Sequence, residues 1–112
     1  KNYRRIKMAV IWQIETLERE TTNNGVILVQ WAVRDQETVG EITYYGYFTS
    51  NSVFSPDHTA TDFVAYDDLV ESNVIAWVKE SLGSDQIASI EADVAAQIAE
   101  AKTPSKLRGI PW

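Results

Sequence analysis

Val26-Ile27-Leu28-Val29-Gln30-Trp31-Ala32-Val33-Arg34 is the stretch that decides the fold. Ile27, Val29, Trp31 and Val33 fall on one side of an extended chain, and Leu28, Gln30, Ala32 and Arg34 on the other. Period-two patterning in β-branched and aromatic residues predicts a strand. Just before it stands Thr21-Thr22-Asn23-Asn24-Gly25. Asn-Gly tolerates positive φ, so a hairpin turn is expected there. The preceding segment, residues 8–20, alternates in the same way, with Val10, Trp12 and Ile14 opposite Ile11, Gln13, Glu15 and Leu17. It predicts the partner strand.

Residues 35–40 read as a polar turn. Residues 41–50 predict a third strand, with Ile42, Tyr44, Gly46 and Phe48 facing away from Thr43, Tyr45, Tyr47 and Thr49. Short links between successive strands make an antiparallel meander. Residues 51–62, rich in Ser, Asn, Pro and Thr, read as a long loop with a short edge segment around Val53-Phe54. Residues 63–66 read as extended chain entering a helix.

Asp67 or Asp68 is positioned to cap that helix, and Asp68 with Glu71 has capping-box spacing. Val70, Val74, Trp77, Val78 and Leu82 form an apolar stripe of helical period over 69–82. Gly83 predicts the stop, and Ser84 is expected to cap the next helix, over 85–102. There Ile87, Ile90, Val94, Ile98 and Ala101 make the stripe, and Thr103-Pro104 ends it. The expected fold is α+β: a three-stranded antiparallel β-meander followed by two α-helices packed on one face, with an irregular tail over 103–112.

Composition bounds the rest. A chain of 112 residues with 45% hydrophobic and 23% charged residues has the makings of one globular domain. The absence of cysteine excludes disulfides and thiolate metal sites. No apolar run approaches the roughly 20 residues of a membrane span. A formal net charge of −6 disfavours direct nucleic-acid binding.

The first seven residues, Lys1-Asn2-Tyr3-Arg4-Arg5-Ile6-Lys7, look foreign to the rest. Arg4-Arg5 can be encoded AGG-AGG, the purine-rich ribosome-binding string of bacterial genes, with Ile6-Lys7 as the spacer before Met8. Residues 1–7 are therefore expected to be a translated leader outside the fold. The alternative is an ordinary basic extension. Without the four positive charges of this lead the formal net charge goes from −6 to −10.

The search for chemistry centres on His58, the sole histidine, in Ser55-Pro56-Asp57-His58-Thr59 with Asp62 nearby. An acid–base or metal loop is one reading, but no second histidine exists to complete a typical metal site. An exposed loop histidine is the favoured reading. Asp67-Asp68 reads as helix capping in preference to a catalytic carboxylate pair. Tyr44, Tyr45, Tyr47 and Phe48 read as packing aromatics, because a base-stacking platform comes with basic residues. No G-x-S-x-G elbow or glycine-rich phosphate loop is present. No catalytic, cofactor-binding or metal residue is therefore assigned, and no enzyme is expected. Trp112, in Ile110-Pro111-Trp112, carries a large apolar surface and is expected to dock on its own domain or on a neighbour.

Ala65-Tyr66-Asp67-Asp68-Leu69, Val74-Ile75-Ala76-Trp77-Val78-Lys79, Leu82-Gly83, Ile90-Glu91-Ala92, Ala96-Gln97-Ile98 and the Pro111-Trp112 ending carry a resemblance. From Met8 on, the chain resembles small uncharacterised proteins of cyanophage-like marine tailed phages, which have a strand-rich first half, two short helices and a Pro-Trp ending. The resemblance implies a phage accessory or virion-associated role, in the bacterial host cytoplasm or the virion, and brings no catalytic motif.

The expected function is non-enzymatic protein–protein contact, with a homodimer or other homo-oligomer and a phage or host protein as partners. An acidic host-directed inhibitor or DNA mimic is one alternative. A small enzyme with its site in the 51–62 loop is another, and it needs a pocket around His58. The dimer expectation rests on strands that carry apolar residues on both faces, leaving a spare apolar face once two helices cover the other.

Overall fold

A computed structural model describes residues 5–7 and 10–112. The elements are β1 (Arg5–Lys7), β2 (Ile11–Arg19), β3 (Val26–Val39), β4 (Ile42–Val53), a 3₁₀ turn (Tyr66–Asp68), α1 (Glu71–Leu82) and α2 (Ser84–Lys102). β2, β3 and β4 form the antiparallel meander that the alternation predicts, and two helices follow it. β4 pairs with β3 from Leu28 to Val39, so β1 and β2 share the opposite edge, end to end.

The sequence reading sets residues 1–7 outside the fold. In the structure the backbone of Arg5–Lys7 pairs with β3 from Val39 to Glu37, so this part of the lead adds a short strand to the sheet. Residues 1–4, Met8 and Ala9 lie outside the described residues.

The first hairpin forms where Asn-Gly is, and Asn24 adopts the left-handed conformation, with φ 59°. The second is tighter than expected. Residues 35–40 are not a polar turn: β3 runs on to Val39 and reverses through Gly40 and Glu41 alone, with Gly40 at φ 66°. Two-residue hairpins need that positive φ. The prolongation has a physical cause, because the acids of this segment find partners. Asp35 and Glu37 are buried on the helix-covered face, where Lys102 of α2 donates to Glu37 Oε2 at 2.8 Å. β4 likewise runs on to Val53, so the first residues of the expected 51–62 loop belong to the sheet.

The core lies between the sheet and the helices. Trp12 stacks on Trp31 at 5.3 Å between centroids, and Trp31 meets Phe48 at 5.8 Å, one ring from each long strand. Val74 and Val78 of α1 and Val94 and Ile98 of α2 complete it. Both indoles are satisfied: Trp12 Nε1 donates to Glu91 at 2.8 Å and Trp31 Nε1 to Ser52 Oγ at 2.9 Å. A buried indole N–H without an acceptor would cost about 1–3 kcal/mol. Gly46 lets α2 approach β4, since a Cβ there would stand 2.3 Å from the carbonyl oxygen of Val94.

The helix ends depart from their expected caps. Leu69 and Val70 are extended and α1 starts only at Glu71, so neither Asp67 nor Asp68 caps it and the capping box does not form. Glu71 is used elsewhere, accepting the backbone N–H of Ile14 on the open edge of β2 at 3.0 Å. Gly83, at φ 83°, ends α1 and begins α2 without a side-chain cap from Ser84. On the other edge, the Gln97 amide accepts from Tyr47 N at 3.0 Å and donates to Tyr47 O at 2.9 Å. Each helix thus occupies backbone groups of one edge strand, which blunts edge-to-edge pairing.

Candidate functional site

Three surfaces remain for function: a groove beside the 54–65 loop, the outer sheet face, and the tail. The groove begins with the chain after β4. Phe54 N bonds to Ile27 O at 2.8 Å and Tyr66 N to Asn24 O at 2.9 Å, so this loop is tied at both ends to the first hairpin. It packs closely enough that a Cβ on Gly25 would meet Pro56 at 3.0 Å. Arg19 lies over the Tyr66 ring at 3.9 Å and holds the exit of the loop. Between the loop and the C-terminal half of α1 a groove of about 550 Å³ remains. Phe54, Pro56, Phe63 and Trp77 supply its apolar lining, and Asp57, Asp62 and Glu80 its charges. Phe54 and Trp77 meet at 6.2 Å.

His58 is exposed and does not line this groove. Its ring meets Phe63 edge-on at 6.5 Å, and its Nδ1 stands 3.5 Å from Asn23 Nδ2. Asp57 shapes the loop: its carboxylate accepts from Thr59 Oγ1 at 2.6 Å and from Thr59 N at 3.0 Å. Those two bonds, the hydroxyl first, hold the Asp57 carboxyl below its usual range. Among the described residues no group of three or more His, Asp or Glu side chains is placed to hold a metal ion.

The outer sheet face differs in one residue from the count of apolar positions made from alternation. A bulge between Ile14 and Thr16 shifts the register, so Leu17 pairs with Val29 and turns into the core. A strict alternation from Ile11 would put it outside. What faces outward mixes the exposed side chains of Tyr45, Tyr47 and Val53 with polar groups that bond one another. Arg34 Nε donates to Gln13 at 2.9 Å, and Glu15 accepts from Thr49 Oγ1 at 3.0 Å and from Tyr47 OH at 3.1 Å. The Tyr47 phenol is pushed above its ordinary value, by desolvation first and then by the Glu15 carboxylate that accepts its proton.

Further exposed apolar surface is in the tail. Residues 103–112 leave α2 without regular structure, and Ser105 is fastened to Glu100. Beyond it Leu107 is 88%, Ile110 70% and Trp112 95% exposed. Of the two expected fates for Trp112, docking on its own domain does not occur. The composition of Ile110-Pro111-Trp112 was a sufficient signal for the exposed segment. The sequence reading pointed to the 51–62 loop, which lines the groove with Asp57 and Asp62, but not to the walls supplied by β3 and α1.

No helix among the described residues is long and apolar enough to cross a membrane. No curated protein and no solved structure gives a significant match. The family model described as Domain of unknown function (DUF7936) matches residues 8–112, nearly the whole of this β-meander with its two helices and tail, and the chain belongs to that family.

Proposed function

We propose that this protein works by protein–protein contact through its tail, as a phage accessory or virion-associated component without enzymatic activity of its own. The observation that carries the reading is the exposure of Leu107, Ile110 and Trp112 together on one short irregular segment. Fully burying a large aliphatic side chain is worth about 1.5–3 kcal/mol. Aromatic anchors dominate the energetics of interfaces. Three such side chains in six residues form a linear binding element. The resemblance to small tailed-phage proteins supports the setting, a bacterial host cytoplasm or a virion.

A photoreactive phenylalanine analogue in place of Ile110 tests it in the producing cell. The expected result is a discrete protein adduct. The control is the same residue in place of Ala96, which is exposed on α2. Equal, diffuse labelling from both positions would defeat the reading.

A further inference from the structure

We infer that the tail of one molecule, residues 106–112, occupies the groove between the 54–65 loop and α1 of a second copy of this chain. The inference rests on the protein-contact reading of the tail and names its partner.

Chemistry makes the first match. The tail interleaves Leu107, Ile110, Pro111 and Trp112 with Lys106 and Arg108, and neither cation is ion-paired among the described residues. The groove is lined by Phe54, Pro56, Phe63 and Trp77 together with Asp57, Asp62 and Glu80. An apolar, basic segment therefore meets an apolar, acidic groove. Its volume of about 550 Å³ lies within the range of pockets that enclose a compact ligand.

Reach makes the second argument, because it removes the chain's own groove from consideration. The tail starts at Lys102, which is bonded to Glu37. The groove lies at the other end of β3, beside Val26. The eleven residues of strand from Glu37 to Val26 span about 36 Å. Leu107 is five residues beyond Lys102 and reaches about 17 Å, and Ile110 about 27 Å, even when fully extended. Trp112 reaches about 34 Å, and only when fully extended, so a tail that must seat Leu107 and Ile110 as well cannot do so at home.

Two copies lying antiparallel solve both problems together. Tail root and groove are at opposite ends of each molecule, so a twofold arrangement brings each tail to the other's groove and closes the contact. Trp112 alone brings about 150–250 Å² to its partner. Two reciprocal tails, with the groove walls they cover, approach the area of about 1,200 Å² at which stable interfaces begin.

Sedimentation equilibrium on the full chain, with charge-exchange variants, tests the inference. The wild-type chain is expected to show a concentration-dependent dimer. Lys106→Glu with Arg108→Glu should weaken it by about tenfold, given typical values for exposed ion pairs. Asp62→Lys with Glu80→Lys, both at exposed positions, should do the same. All four substitutions together should restore most of the loss, which no general damage to the fold would produce. A wild-type monomer at every concentration, or a fourfold variant no tighter than either pair, overturns the inference. The photoadduct at Ile110 separates the levels of the argument. Attachment to the Phe63 region of another copy supports the seating. Attachment only to a different protein overturns it and leaves the contact reading standing, and no specific adduct sinks both.

Discussion

Gly46→Ala should be among the most damaging single-methyl additions in this protein. The added Cβ would stand 2.3 Å from Val94 O, 2.9 Å from Val94 Cγ1 and 3.1 Å from Val94 C. Ordinary contact begins at 3.4 Å, so α2 must retreat by about 1 Å over backbone that cannot rotate aside. Overpacking of this kind costs about 1–3 kcal/mol. The retreat also draws Gln97 from its two bonds to Tyr47, at about 0.5–1.5 kcal/mol each. Alanine recovers about 0.5–1 kcal/mol, because glycine is unfavourable within a strand. The net loss centres on about 3 kcal/mol, against a total stability of about 6–17 kcal/mol for a chain of this size. At about 4–8 °C per kcal/mol the melting temperature should fall by about 12–24 °C. Thermal unfolding followed by circular dichroism reads it. Gly109→Ala, where nothing lies within 4 Å, is the control and should leave the transition in place. A fall of under about 3 °C for Gly46→Ala would show that α2 does not ride against β4 as described.

Glu91→Ala should leave the Trp12 indole N–H without its acceptor and cost about 1–3 kcal/mol in urea unfolding; Glu91→Gln should recover most of it, and equal losses would contradict the hydrogen-bond account. The raised Tyr47 phenol predicts a stabilising contribution that is complete below the unfolded tyrosine pKa and is lost as pH rises through the higher folded value. Tyr47→Phe should therefore flatten the alkaline fall in stability, and an unchanged pH profile would refute the raised phenol. A chain beginning at Met8 loses the pairing of β1 with β3 and should melt within a few degrees of the full chain. A much larger fall would make the basic lead integral to the sheet.

Local pattern carried the architecture. The alternation around Trp31, the Asn-Gly hairpin and the Gly83 break between two helical stripes each depend on neighbours within a few positions, and each forms as expected. The candidate site was half legible. Trp112, in Ile110-Pro111-Trp112, stood out as costly apolar surface on an irregular tail, and the 51–62 loop as a candidate site, whereas the far wall of the groove has no sequence signature, because Val26, Phe63 and Trp77 become neighbours only when hairpin, loop and helix are assembled.

Charge placement was the main misreading. Asp35 and Glu37 look like turn residues, since an acid between two strands is cheapest in water. Glu37 is tolerated in the interior because Lys102, 65 positions away, reaches it with a short bond. Asp67 and Asp68 look like caps, yet Glu71 begins the helix and serves an edge strand 57 positions back. Periodicity and turn chemistry are properties of adjacent residues, so the sequence alone determined the strands, helices and their order. The free energy of a buried charge, a bulge that turns Leu17 inward, or a glycine against a helix depends on atoms that only folding brings together, and these the tertiary structure decided.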